Sequence, residues 1–399
     1  MRRVLALMAG VAVAIGLFLS PAADAAVRAL VTVNNPEKRS VRVLNYESPG
    51  HREDTVGLYR TAIAGTPDGV TNLYLMGSSE LGVPIEQNPN QWLPKNASDF
   101  DLYQSGRGFQ QSLYHAIELA AVADKIPNHK VALLVSPQWF TPGGIKAGAF
   151  ESVFSHAAWR AMLTNKALSV DTRARLVARA GELMPQLCTA RASCTSTATG
   201  RAKEIIDTPY TAFSNRVDAL RETYDGTSWR KAVTYTGPWQ PGAQTMRTID
   251  WGAQDVRAVA LGQSRVTTNP YGMDDGYYSK RIAPYLGKLK GHEAKVTYTT
   301  SREYDDLQLF LDVARDLGVQ VMLISLPVNG KWSDFTGLPA SESNGFAAHL
   351  QRIAKADKVQ LTDLTTNAYV PYYFFDTLHL GWRGWLDVTR ACWEFASAA

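Results

Sequence analysis

The chain has 399 residues, of which 45% are hydrophobic and 20% charged, so it can bury a large core and is not expected to be disordered. Its formal net charge is +4, and charges of both signs are interspersed without a block of Lys or Arg. This pattern argues against nucleic acid as a partner, and it mildly favours anionic envelope polymers or membrane surfaces.

The first residues predict an export segment. Arg2 and Arg3 precede an apolar run that ends at Leu19, and the Ala-Asp-Ala sequence at 23–25 resembles a signal-peptidase site. The run is shorter than the roughly 20 residues that comfortably span a bilayer. Residues 1–26 are therefore either a membrane anchor, which leaves the protein on the outer face of the cell membrane, or a cleaved signal, which gives a secreted protein. Either outcome places the remainder outside the cytoplasm.

The cysteines fit such a compartment. Cys188 and Cys194 lie close together in a polar stretch and predict a small disulfide loop. Cys392, beside Trp393 and Phe395, is expected to be a buried apolar residue rather than a reactive thiol. The histidines are scattered, and no His-x-x-x-His, Cys-x-x-Cys or complete dinucleotide motif occurs, so neither a metal nor a cofactor is predicted.

Clear elements begin at the apolar run Asn72–Met76, which predicts a buried strand ending in a tight turn at Gly77. Apolar residues at helical spacing then predict a helix over Gln111–Ile126, and Val131–Val135 predicts a second strand. No strand is evident from 143 to about 296, where helical patterns and aromatic or Gly-rich loops predict a large insertion.

Strands and helices alternate again after the insertion. Thr300 and Glu303 form the pattern of a capping box at the start of a helix. Two further strands, Val319–Leu326 and Val359–Leu364, flank a helix over Ser341–Ala356. This alternation predicts one α/β domain over residues 27–399, with three α/β/α layers around a mostly parallel sheet, and a site at the carboxyl ends of the strands.

The residues that predict catalysis are Ser79, Asp376 and His379. A serine hydroxyl needs a base within hydrogen-bond reach and an acid that orients the base. Gly-Ser-Ser after the first strand, with Asp-x-x-His near the chain end, has the order found in the lipase and esterase superfamily whose hallmark residues are Ser, Gly, Asn and His. Ser78 is the alternative nucleophile; we favour Ser79 because the third position of that superfamily's Gly-Asp-Ser-Leu pattern carries the hydroxyl.

Acyl transfer also needs donors aimed at the developing oxyanion, each of which contributes about 3 kcal/mol to transition-state stabilisation. The candidates are the backbone N–H of Ser79, a backbone N–H of Gly106 or Gly108, and the side chain of Gln138. Gln138 stands where the superfamily usually has Asn, so its role as third donor is open, and it is alternatively a cap of its loop.

Five further residues have both a functional and a structural interpretation. Arg107 and Arg383 are candidate contacts for polymer phosphate or ordinary ion-pair partners. Trp139 and Trp382 either line the substrate site or pack in the core. Glu80 is either a second acid or, as we favour, a hydrogen-bond acceptor for the turn backbone.

Four stretches together resemble the DltD family of D-alanyl-lipoteichoic acid biosynthesis, which has a fold like that of the SGNH hydrolases. They are Gly77–Leu81, Ser105–Gly108, Ser136–Phe140 and Phe375–Trp385. The resemblance covers most of the chain after the export segment, and the Ser-Pro-Gln-Trp and His-Leu-Gly-Trp-Arg-Gly-Trp sequences are its most specific parts.

The resemblance implies that Ser79 is the nucleophile, His379 the general base and acid, and Asp376 the residue that fixes the imidazole tautomer. It also implies that the protein places D-alanine on lipoteichoic or teichoic acid together with a membrane O-acyltransferase and a small companion peptide. Two alternatives remain: an esterase or thioesterase that transfers the acyl group to water, and a non-catalytic scaffold that binds the polymer.

Overall fold

Five parallel strands form the central sheet, in the order β2-β1-β3-β4-β5. The computed structural model describes Ser20 and residues 69–126, 128–187 and 242–398. The strands are β1 (Thr71–Gly77), β2 (Phe100–Gly106), β3 (Lys130–Val135), β4 (Gln320–Ser325) and β5 (Gln360–Asp363). The chain order reverses between β1 and β3, and in open α/β sheets such a switch point is where ligands bind.

Helices cover both faces of the sheet. Those of seven or more residues are α1 (Pro89–Asn96), α2 (Ser112–Val122), α3 (Ala147–Val153), α4 (His156–Thr164), α5 (Val170–Leu183), α6 (Trp251–Arg265), α7 (Glu303–Asp316), α8 (Gly330–Thr336), α9 (Ala340–Asp357) and α10 (Trp382–Ser397). Within the described ranges, no helix combines the length and apolarity needed to cross a membrane.

Alternate side chains of the strands pack on opposite helical layers. On β1, Tyr74 and Met76 belong to a core that includes residues of α2, α4, α5, α7 and α9. Leu73 and Leu75 face the other way, into a core shared with α1, α6 and α10. The predicted three-layer α/β/α fold is therefore confirmed, and four of the five strands lie where the sequence predicts them.

Strand β2 is the one that the sequence pattern does not predict. All seven of its residues are buried, including the polar Asp101 and Gln104. Buried parallel strands are recognised by continuous apolar runs, and these polar side chains interrupt the run. Although β2 lies at the sheet edge, Phe100 at its start packs edge-on against Trp393 of α10, so only the tertiary structure explains its burial.

The predicted capping box at Thr300–Glu303 is wrong. Helix α7 begins at Glu303 itself, after Arg302, whose side chain makes no capping hydrogen bond. The Glu303 carboxylate instead accepts the backbone N–H of Ser112 at 2.8 Å. It therefore caps the neighbouring helix α2, and the same contact joins two helices that are far apart in sequence.

Between β3 and β4 the described residues contain helices α3 to α7 and a run of helical turns over 275–289, but no strand of the sheet. The predicted disulfide of Cys188 and Cys194 lies outside the described residues, as does the predicted export segment apart from Ser20. Cys392 is a free thiol in the α10 core, with no exposed surface.

Candidate active site

Ser79 begins a short turn directly after β1, at the switch point of the sheet. The turn is a single stretch of 3-10 helix over Ser79–Gly82. The backbone N–H of Ser78 donates to Oε1 of Glu80 at 2.7 Å, and Glu80 is only 1% exposed. The Glu80 carboxylate thus fixes the backbone just before Ser79, as the structural interpretation of this residue expects.

A continuous hydrogen-bonded chain joins Ser79 to His379 and Asp376. Ser79 Oγ lies 2.9 Å from Nε2 of His379, although the two residues are 300 positions apart. On the other side of the imidazole, Nδ1 lies 2.7 Å from Oδ2 of Asp376. Since an ionised carboxylate only accepts, Nδ1 carries the proton and Nε2 is left to accept the proton of Ser79.

The loop that carries the acid and the imidazole is held by its own backbone. Oδ1 of Asp376 accepts the N–H groups of Leu378 and His379, each at 2.8 Å. The N–H of Phe375 donates to the carbonyl of His379 at 2.9 Å. Asn329, at the start of α8, donates from Nδ2 to the carbonyl of Asp376 at 3.2 Å. Both functional groups are therefore fixed relative to the sheet.

The charges around His379 favour its protonated form. Burial on its own lowers the imidazole pKa, but the hydrogen bond and charge of Asp376, together with the charge of Glu80, raise the pKa of His379 above its ordinary value. Burial also raises the pKa of Glu80, against its hydrogen bonds and the charge of His379. His379 is therefore a stronger base than a free imidazole.

The structure separates the two candidate nucleophiles. Ser78 is 3% exposed, and its hydroxyl donates to the carbonyl of Arg107 at 3.1 Å. Ser79 is half-buried, and its hydroxyl faces His379. The Ser78 hydroxyl is thus committed to holding the neighbouring loop, and the geometry favours Ser79.

The predicted oxyanion donors flank Ser79 at the same edge of the sheet. Gly106 ends β2 beside Gly77, and a Cβ on Gly106 would come 2.5 Å from the Gly77 carbonyl oxygen. Gln138 lies in the turn after β3, on the other side of β1, and is half-buried. Within the described residues, no hydrogen bond occupies the backbone N–H of Ser79 or Gly108 or the side chain of Gln138. These donors remain available to an incoming oxygen.

Comparison with known proteins shows the family of the chain. Residues 59–397 match the family model described as DltD protein. The chain belongs to the DltD family. It is similar to proteins named Protein DltD from Bacillus subtilis strain 168, with 28% identity over 337 residues (82% of each chain), and from Lacticaseibacillus rhamnosus, with 28% identity over 326 residues (80% of this chain and 76% of that protein). Protein DltD of Staphylococcus aureus strain NCTC 8325 / PS 47 is 26% identical over 317 residues, which is 78% of each chain.

The four side chains that are candidates for substrate contact are packed in the core or hydrogen-bonded within the chain. Trp139 and Trp382 are 2% and 4% exposed, so both pack in the core and neither presents its ring to a polymer. The Arg383 guanidinium binds both carboxylate oxygens of Asp255, at 2.7 and 3.0 Å. Arg107 donates from one guanidinium nitrogen to the Ser152 carbonyl at 2.6 Å. For all four residues, these contacts favour the structural interpretation over the functional one.

A buried polar network below Ser79 was missed by sequence reasoning. Nε2 of His115, on α2, lies 2.8 Å from the Gly77 carbonyl, and Nδ1 lies 3.2 Å from Oε2 of Glu118. The other oxygen of Glu118 accepts the Ser105 hydroxyl at 2.6 Å and the Tyr74 hydroxyl at 3.3 Å. The signal in the sequence is a His and a Glu three residues apart within an otherwise apolar helix. In this DltD chain, that network connects α2 to the ends of β1 and β2.

Proposed function

We propose that this protein transfers D-alanine onto hydroxyl groups of lipoteichoic or teichoic acid through an acyl-enzyme on Ser79. The hydrogen-bonded order Ser79–His379–Asp376 at the switch point of the sheet carries this proposal. Membership of the DltD family supports the choice of acyl group and polymer. A second support is that the backbone N–H groups of Ser79 and Gly108 and the side chain of Gln138 have no hydrogen-bond partner within the described residues.

The first step forms the acyl-enzyme. Oγ of Ser79 attacks the carbonyl carbon of the alanyl donor while its proton moves to Nε2 of His379. The bond between that carbon and the donor's leaving atom then breaks, and His379 returns the proton to the leaving group. The N–H of Ser79 and a donor from Gly108 or Gln138 hydrogen-bond the oxyanion, where the loss of one donor costs about 3 kcal/mol.

The second step releases the acyl group to the polymer. A polymer hydroxyl gives its proton to Nε2 of His379 and attacks the same carbonyl carbon. The bond to Ser79 breaks, and its oxygen regains the proton from His379. Asp376 accepts from Nδ1 throughout and stabilises the imidazolium that forms in each step.

We further propose that the reaction takes place at the outer face of the cell membrane. The donor in this proposal is presented by a membrane O-acyltransferase and a small companion peptide, as the family resemblance implies. Residues 1–26 then hold the protein near that donor as an anchor.

Hydrolysis by an esterase or thioesterase is the second candidate function. The His379 side chain is 20% exposed, so water reaches the base in the isolated chain. Incubation of the purified protein with an alanyl donor, with and without polymer, separates the two functions. Alanyl ester formed on the polymer supports transfer, whereas free alanine formed equally in both samples supports hydrolysis.

The nucleophile is tested by labelling with a serine-directed phosphonate and mapping the labelled peptide. We expect the label on Ser79, its loss in Ser79→Ala and His379→Ala, and its retention in the matched control Ser78→Ala. In cells, Ser79→Ala should abolish alanylation of the polymer. Unchanged alanylation in that strain contradicts the acyl-enzyme, and an unlabelled wild type favours the polymer-binding scaffold.

A further inference from the structure

The segment after α6 carries a surface of exposed cations, which we call the basic surface. A run of short helical turns covers 275–289, and a loop continues to 295. The cations of the basic surface are Lys280, Arg281, Lys288, Lys290 and Lys295, all of them exposed. Residues 275–295 contain two carboxylates, those of Asp275 and Glu293, so the five cations leave the stretch with a net positive charge.

Neighbouring groups do not neutralise the basic surface. Within the described chain, none of its five cations forms an ion pair. The nearby carboxylates are engaged elsewhere: Glu293 accepts the Thr336 hydroxyl, Asp275 accepts from Thr267 and Thr268, and Asp274 pairs with Arg265. These cations therefore remain available to an external anion.

The basic surface begins beside the candidate active site. The N–H of Asp274 donates to the carbonyl of Phe375 at 2.8 Å, and the Tyr277 ring lies 6.2 Å from the Phe375 ring. The Tyr277 hydroxyl is hydrogen-bonded to Thr377. Burial and the charge of Asp376 raise the pKa of Tyr277, against the opposing charge of Arg281. The first cations, Lys280 and Arg281, follow Tyr277 by three and four residues, which is about one helical turn.

The apolar side of this segment faces inward. Ile282 packs with Met273 and Trp332, and Leu286 and Leu289 cover the same cluster. A segment that inserts into a membrane interface exposes large apolar side chains along one face. Tyr285, which is 58% exposed, is the one large apolar side chain that the described residues of this segment expose. It stands alone among five exposed cations, so the segment suits a water-soluble polyanion better than a bilayer.

We propose that the basic surface binds phosphate groups of the acceptor polymer and so holds a nearby polymer hydroxyl at Ser79. The inference rests on the proposed function, because it takes the polymer to be the acceptor. Several weak contacts along one polyanion accumulate because each releases a counterion, which makes the binding strongly dependent on salt. Arg107 and Arg383 already bind the Ser152 carbonyl and the Asp255 carboxylate, whereas the cations of the basic surface form no ion pair within the described residues.

The test compares two variants of the full chain that lose the same charge. The surface variant is K280Q/R281Q/K288Q/K290Q, and the control variant is K146Q/K166Q/R352Q/K355Q, whose cations are also exposed but lie on other elements. Binding of lipid-free poly(glycerol phosphate) is measured over a range of salt concentrations. We expect about tenfold weaker binding at low salt and a shallower salt dependence in the surface variant only, with a loss of about twofold or less in the control. Unchanged thermal unfolding shows that both variants are folded.

Other results overturn the inference. Equal losses in the two variants mean that binding follows net charge alone. Reduced binding to phosphatidylglycerol vesicles with unchanged binding to the polymer assigns the surface to the membrane. Polymer binding is also measured with Ser79→Ala, without any acyl donor. If wild-type Ser79 is unreactive while the surface variant still loses polymer affinity, the proposed catalysis fails and this binding site stands.

Discussion

At the scale of single residues, the reactivity proposed for Ser79 depends on buried neighbours as well as on His379 and Asp376. Glu80 is next to Ser79 in sequence, yet its buried carboxylate accepts from the backbone of Ser78 and adds negative charge near His379. Beneath the same turn, His115 donates to the Gly77 carbonyl. Glu80 and His115 thus bind the N–H and the carbonyl of the same peptide group, between Gly77 and Ser78, just before Ser79.

Glu80→Gln tests the electrostatic contribution of Glu80. Labelling of Ser79 needs a neutral imidazole and is lost as the pH falls through the raised pKa of His379. Asp376 is the main cause of that rise and Glu80 a smaller one, so we expect the acid limb of the labelling profile to move to lower pH in Glu80→Gln. Gln keeps an acceptor for the Ser78 N–H. An unmoved acid limb means that Glu80 acts through its hydrogen bond alone.

His115→Ala tests whether the network below the turn positions Ser79. The substitution leaves the Gly77 carbonyl and one Glu118 oxygen without their partner, and an unsatisfied buried group costs about 1–3 kcal/mol. We expect this loss in urea unfolding, together with slower labelling of Ser79. His115→Gln, which keeps a donor, should recover part of both, and exposed His156→Ala should change neither. A loss of stability with an unchanged labelling rate shows that the network stabilises the fold without positioning Ser79.

At the scale of elements, the start of α10 sets the position of the imidazole. The N–H of Gly381, just before α10, donates to the Tyr373 carbonyl at 2.6 Å. A Cβ on Gly381 would lie 2.5 Å from the carbonyl carbon of Phe374, which leaves no room for any side chain. The close contact of Gly381 with the backbone of Tyr373 and Phe374 therefore helps to hold His379 near Ser79.

Gly381→Ala should separate the start of α10 from Phe374. Because the clash is with backbone, we expect a loss of about 1–3 kcal/mol in the free energy of unfolding and strongly reduced labelling of Ser79. Gly148→Ala in α3 is the matched control, since no atom lies within 4 Å of its added Cβ. The control should be neutral or stabilised by up to about 1 kcal/mol. Wild-type labelling in Gly381→Ala contradicts the positioning role of this contact.

At the scale of the whole molecule, a buried charged cluster joins the helices of one layer. The Arg179 guanidinium of α5 binds both oxygens of Asp306 on α7, at 2.7 and 2.9 Å. Glu303, one turn earlier on α7, accepts from the start of α2. Burial, with the nearby charge of Asp306, raises the pKa of Glu303 to about 8. Arg179 also lies 3.1 Å from a carboxylate oxygen of Glu182, so its charge is shared between two carboxylates, and the burial of Glu303 favours its protonated form.

This raised pKa predicts that stability falls as the pH rises. The folded state holds a proton on Glu303 that the unfolded chain releases near its ordinary pKa of 4.5, so the contribution of Glu303 is complete below that value. It is lost as the pH rises toward about 8, by at most about 1.4 kcal/mol per pH unit for one proton.

Glu303→Gln should flatten this dependence in urea unfolding from pH 5 to pH 8. The exposed Glu394→Gln is the control and should leave the dependence unchanged. If wild type and Glu303→Gln show the same slope, Glu303 is ionised in the folded protein.

The sequence alone determined the fold class, most of the sheet and the order of the site residues. Strands β1, β3 and β4 follow from apolar runs because buried parallel strands need apolar side chains on both faces. Strand β5 is a partly exposed strand with the sequence Gln-Leu-Thr-Asp. The positions of Ser79, Asp376 and His379 follow from short motifs. Such local signals depend on neighbours in the chain, so they are readable without coordinates.

The tertiary structure decided the hydrogen bonds, ion pairs and burial that involve residues distant in sequence. It commits the hydroxyl of Ser78 to the carbonyl of Arg107, pairs Arg383 with Asp255 across 128 positions, and brings His115 to Gly77. It also buries polar β2 residues that interrupt the strand pattern. Burial and hydrogen bonding are properties of packed surfaces, and the pattern of residues along the chain does not state which surfaces meet.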